Sequence, residues 1–184
     1  DDIELTQRVR DYLRPGFVNR RTSLRFDANG AWSLKQATEW LRLWDATDIS
    51  SIEQPLSPGN EEKLSTLREV CDIPIMHDES LITLEDGRRL IELGVAGGFN
   101  IRLSKCGGML PSLRLAALGR KFLVRLQLGC MVGETSLLSS AGLRFLEVCP
   151  GVSWAEGCFG KLLMSRDIAC PSLTFGYGGR PPRK

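Results

Sequence analysis

Asp27, Glu53 and Asp78 each close a short apolar run (SLRFD, ISSIE and IPIMHD), at intervals of 26 and 25 residues. The stretch between each pair has helical spacing, so equal strand–helix units carry each carboxylate to the equivalent end of successive parallel strands. Carboxylates gathered at one rim are hard oxygen donors. They suit Mg²⁺, with Mn²⁺ as the alternative, because the ion accepts a few carboxylates and keeps water or substrate oxygens in its other octahedral positions.

Further polar residues fall near the same rim. By the two-residue period of a strand, Arg25, Asp27 and Asn29 share a face, which makes Asn29 a candidate for holding a substrate oxygen. A plainer reading is an Asn-Gly turn, with Asp27 capping the next helix. In FNIRLSKCGG, Asn100, Arg102 and Ser104 share a face, so Arg102 is the cation expected to face the site. Strand alternation turns Lys105 away from it. Gly107-Gly108 before a helix could receive an anion on backbone N–H groups, or could simply form a tight turn. Glu134, in MVGET, is a candidate for contacting substrate or holding Arg102. Glu79 and His77, the only histidine, should point away from the face of Asp78. Glu79 then reads as a residue that supports the site from behind or forms a salt bridge, and His77 as a packed structural residue rather than a catalytic base.

The elements that must position these residues follow from hydrophobic period and punctuation. Helical spacing covers 2–14, and strands are expected at 23–27, up to Glu53, at 74–77, 99–103, 124–128 and 152–155. Helices are expected from Ser33 as cap, with Ala37, Trp40, Leu41 and Leu43 on it, then at 61–70, at 84–93 ending on Gly94, at 110–118 ending on Gly119, and at 136–145. Strands alternating with helices specify an α/β parallel sheet in a single domain, 1–184. An open doubly wound sheet concentrates its site at one switch point, whereas residues at several strand ends favour a barrel. A full barrel needs eight strands and about 250 residues, so the chain is short by about two strand–helix units.

Composition excludes little else. The 24 Lys and Arg against 22 Asp and Glu argue for no nucleic-acid partner, and no apolar run is long enough to span a membrane. The basic end RPPRK reads as a solvated tail. The six cysteines have neither C-x-x-C pairs nor zinc-ligand rhythm, which points to free thiols and a cytoplasmic location. No signal peptide is visible, and the start without Met suggests that the chain begins inside a domain.

FDANGAW, IEQP, DES, NIRLSKCGG and GCMVGETS, in this order, resemble the enolase superfamily, in its mandelate racemase and muconate lactonizing branch. The resemblance covers nearly the whole chain. It implies a partial TIM-type (β/α)₇β barrel, about six strands from the third to the last, with the N-terminal capping domain absent. It also implies that Asp27, Glu53 and Asp78 are Mg²⁺ ligands. Enzymes of this kind remove a proton alpha to a carboxylate through an enediolate, so a small carboxylate substrate is expected, and the family admits a homo-oligomer.

Two departures shape the expected reaction. The upstream Lys-x-Lys pair has no counterpart here, and the other acid/base lysine position reads Arg102. A guanidinium keeps its proton and is a poor base. One-base chemistry is therefore favoured, either cycloisomerisation or an o-succinylbenzoate-forming dehydration. Epimerisation or racemisation is the alternative, although the paired aspartates that hold a dipeptide ammonium are missing, with Glu156 as a partial substitute. The rival from another class is an inactive, shortened paralogue that binds metal or a partner protein.

Overall fold

The computed structural model describes residues 2–13, 24–44, 49–157 and 160–173; Cys158 and the basic end lie outside them. The strands are β1 (Leu24–Asp27), β2 (Ile49–Glu53), β3 (Ile75–His77), β4 (Gly98–Ile101), β5 (Arg125–Leu128) and β6 (Val152–Ala155). They form one six-stranded sheet in sequence order, all pairs parallel. Helices α1 (Asp2–Leu13), α2 (Leu34–Leu43), α3 (Leu64–Val70), α4 (Leu84–Glu92), α5 (Met109–Lys121), α6 (Ser136–Val148) and α7 (Gly160–Leu163), with a 3-10 helix at Glu61–Lys63 leading into α3 where one helix was expected over 61–70, complete the described chain. The sheet is curled: Arg25 on β1 donates to Gln127 Oε1 on β5 and lies over the Trp154 ring on β6, strands that β1 does not pair with. This is the partial α/β barrel expected from the sequence.

Alternation sorts the strands into two faces. Phe26, Ile52, Phe99, Ile101, Leu126 and Leu128 belong to the apolar layer shared with the helices. Phe26 stacks on Trp44 with centroids 4.5 Å apart, and Trp32 meets Trp40 edge-on at 4.8 Å. Ser33 caps α2 in a reciprocal box with Gln36, and Thr83 caps α4 likewise with Asp86.

Some boundaries depart from the sequence reading. Gly119 lies inside α5 rather than ending it. A Cβ there would stand 2.8 Å from Leu126 Cδ2 and 3.2 Å from Phe99, so the glycine lets the helix approach the sheet. Leu43 closes α2, on the helix as expected, with its side chain exposed while Ala37 and Leu41 are buried. β4 ends at Ile101, two residues earlier than expected, since Lys105 and Cys106 N–H groups turn back to the Arg102 carbonyl.

Candidate functional site

The concave face carries the polar residues. Register sets them in a row near the C-terminal strand ends: Asp27 opposite Glu53, Asn100 opposite Gln127, and Gln127 opposite Trp154. Asp78 follows directly after β3, one residue beyond the His77–Phe99 pair.

Glu53 is the hub. Its Oε1 accepts from Asn100 Nδ2 at 2.6 Å, and its Oε2 accepts from Gln127 Nε2 at 3.3 Å. Burial raises its carboxyl to about 7, the charges of Asp27, Asp78 and Glu156 push the same way, and the Asn100 bond opposes them. Gly129 makes room for Asn100, since a Cβ there would fall 2.1 Å from Asn100 Oδ1. Gln127 also donates to Glu156 Oε1 at 3.0 Å, and Glu156 Oε2 accepts from the Cys130 N–H at 3.3 Å.

Asp78 is fully buried between two cations. Arg102 Nη2 pairs with Oδ2 and stands 3.8 Å from Glu53 Oε1; Lys105 Nζ pairs with Oδ1. Lys105 also donates to the carbonyls of Asp78 and Asn100. The expectation that Lys105 points away is thus corrected: because β4 stops at Ile101, alternation no longer governs residue 105, and a turn swings its side chain into the rim. Arg102 faces the site as expected.

A second network fixes the Asp78 backbone. Gln54 lies directly after β2, whose last residue is Glu53, and leaves the extended conformation of the strand.

 Gln54 thus has φ +37°, a left-handed conformation that its neighbours hold in place. Its Oε1 accepts from the N–H groups of Asp78 and Ser80, both at 3.1 Å, and its Nε2 donates to Leu56 O and Ser80 Oγ at 2.8 Å. Ser80 Oγ in turn donates to Glu61, at 2.6 Å, and Glu61 pairs with Arg89 at 3.0 Å.

The remaining candidates fall as follows. Asp27 is exposed and accepts from the Asn29 N–H at 2.9 Å. Asn29 itself occupies the turn after β1, with φ 46°, so it does not continue the strand face; the Asn-Gly turn is the arrangement found, while Ser33 rather than Asp27 caps α2. Glu134 accepts from Met131 N–H at 2.9 Å, and burial raises its carboxyl. The ion pairs of Arg102 within 4 Å run to Asp78 and Glu53 instead. His77 is buried, its Nε2 3.0 Å from Val95 O, and desolvation lowers its pKa to about 4, as befits a packed residue. Glu79, expected to support the site from behind or to form a salt bridge, has a buried Oε2 without a hydrogen-bond partner among the described residues.

Among the described residues, no three His, Cys, Asp or Glu side chains form a ready-made metal cage. The donor chemistry nevertheless fits a hard divalent cation. Glu53 and Asp78 flank a single cationic nitrogen, and Glu53 is buried beside the like charges of Asp27, Asp78 and Glu156, a cost that an added cation would relieve.

Residues 1–179 match the family described as enolase C-terminal domain-like, and the chain belongs to it, in the mandelate racemase and muconate lactonizing branch. It is 40% identical over 119 residues to a hydrophobic dipeptide epimerase of Roseobacter litoralis, covering 65% of this chain and 34% of that protein. The dipeptide epimerase of Cytophaga hutchinsonii, solved with Mg and the dipeptide D-Ala-L-Val, superposes with a TM-score of 0.79 at 29% identity, over 90% of this chain and 43% of that one. Muconate cycloisomerase of Pseudomonas fluorescens gives 0.80 at 30%, over 99% and 45%. The chain therefore spans less than half the length of each of these relatives.

Sequence reasoning missed Gln127 as the link between Glu53 and Glu156. Its inward position was legible from the alternation of RLQL, but an amide in a strand carries no signal of its own. No helix among the described residues is long and apolar enough to cross a membrane.

Proposed function

We propose that this chain forms part of a Mg²⁺-dependent lyase or isomerase that abstracts a proton alpha to a carboxylate. The observation that carries the reading is the convergence of Glu53 and Asp78 on one cation position, with Asp27 on the neighbouring strand end. These three residues would hold the ion. When bound, it supplies fixed positive charge to the carboxylate oxygens on which charge develops as the proton leaves. Asn100 and Gln127 orient Glu53 by donating to its two oxygens. Lys105 commits its ammonium to Asp78 and to two carbonyls, which spends the three donors of that group on holding the rim. Arg102 acts as an electrostatic partner rather than a base. Asn29 and Glu134 are the candidate substrate contacts.

The arginine at 102 favours one-base chemistry, such as the cycloisomerisation named for the Pseudomonas fluorescens relative. A second reading, epimerisation of a dipeptide or amino-acid derivative, draws support from the Roseobacter litoralis and Cytophaga hutchinsonii relatives. It is also served by Glu156, an exposed carboxylate able to meet a substrate ammonium. The two readings separate in D₂O with Mg²⁺ and the complete protein. Dipeptides, N-acylamino acids and muconate-type acids are incubated and followed by NMR. Lactone or alkene formation supports the first reading, and deuterium at the alpha carbon with loss of configuration supports the second. No exchange or conversion in any substrate class counts against both.

A further inference from the structure

Arg102 occupies the place between the carboxylates. Its Nη2 is paired with Asp78 Oδ2 and lies 3.8 Å from Glu53 Oε1, so one guanidinium nitrogen stands between two of the residues proposed as ligands. The side chain is only 16% exposed, and Nη1 rests 3.4 Å from Met131 Sδ. Lys105 takes the other oxygen of Asp78 and also donates to the Asn100 carbonyl, while the ion pair to Glu53 comes from Arg102. Arg102 thus stands on the side of Asp78 from which it also approaches Glu53.

Building on the metal reading above, we propose that Arg102 is an internal cation that competes with the divalent ion for Glu53 and Asp78. The lone pairs that face each other across this gap serve one cation at a time, because two positive groups at contact distance repel strongly in a partly buried site. Ion binding then requires the guanidinium to withdraw. The apparent affinity falls by the fraction of molecules in which it has done so. A lysine at this position keeps the charge, but it is shorter and has a single nitrogen, so it cannot rest on Met131 and reach between the carboxylates together.

The test is Mn²⁺ binding to the complete protein, read from the free-ion EPR signal, for wild type, Arg102→Met and Arg102→Lys. Both variants should bind Mn²⁺ about tenfold tighter than wild type, as expected if the guanidinium is docked about nine-tenths of the time. If Arg102→Met binds tighter while Arg102→Lys matches wild type, nearby charge rather than occupancy sets the affinity, and the proposal is overturned. Equal or weaker binding in both variants overturns it too, while leaving the metal site standing. Absence of Mn²⁺ binding in all three proteins overturns the competition and the metal reading together. Should Arg102→Met fail to fold, Arg102→Lys decides alone.

Discussion

On the convex face of the sheet, Phe26, Ile52, Phe99, Leu126 and Leu128 meet helices through apolar contact, and Gly119 removes a side chain so that α5 can come closer. On the concave face the same strands present Arg25, Asp27, Glu53, Asn100, Gln127 and Glu156, joined by hydrogen bonds and an ion-pair cluster. One face gains stability from area removed from water. The other buries a carboxylate beside like charges, at a cost visible in the Glu53 carboxyl, which burial chiefly and the neighbouring charges secondarily raise. Stability and chemistry are thereby separated by the two-residue period of a strand, and substitutions on the two faces should have different readouts.

The largest effect is expected at Asp78. Asp78→Asn in the complete protein should lower kcat/KM by at least about 10²–10³-fold, the range seen when a group aimed at developing charge is lost; near-normal turnover would sink its assignment to the metal site. On the opposite face, Phe99→Ala should cost about 3–5 kcal/mol in urea unfolding while the folded fraction retains its kcat. A loss of kcat beyond the loss of folded protein would break the separation of faces.

Glu53 gives a pH-dependent contrast. Its folded carboxyl lies near 7 against an ordinary 4.5, so the folded state binds the extra proton between these values and loses stability as pH rises through them. His77 acts in the opposite sense: lowered to about 4, it contributes stability above its ordinary 6.5 that is lost as pH falls toward 4. Subtracting the Glu53→Gln profile from wild type cancels the histidine. The difference should slope by up to about 1.4 kcal/mol per pH unit between pH 4.5 and 7, and a flat difference would show that Glu53 is not raised. The smallest effect is expected at Lys105: Lys105→Met should cost about 1.5 kcal/mol, the low end for hydrogen bonds to a charged group. Lys105→Arg should recover most of it in the same denaturation assay, and failure to do so would argue against a charge-dependent clamp.

Much of this was legible in the sequence because it rested on period and punctuation. The carboxylate spacing, the strand–helix alternation, the Ser33 cap and the inward Arg102 all follow from local rules. What escaped depended on where a strand stops. Nothing in NIRLSK marks Ile101 as the last paired residue, so Lys105 was placed by an alternation that no longer applied. The face assigned to Asn29 extended alternation two residues past the expected strand end, and the turn after Asp27 sets that residue's direction instead. Gly119 resembles a helix stop in sequence, and only packing against Leu126 and Phe99 reveals its purpose.

The central claim is that the concave carboxylates hold a divalent cation. Calorimetric titration of Mg²⁺ into the complete protein and its Glu53→Gln and Asp78→Asn variants tests it most directly. The account predicts a single saturable site in wild type, weakened at least about tenfold in each variant, consistent with the loss of a hard oxygen ligand. A wild type without a site, or variants that bind Mg²⁺ as tightly as wild type, would contradict it.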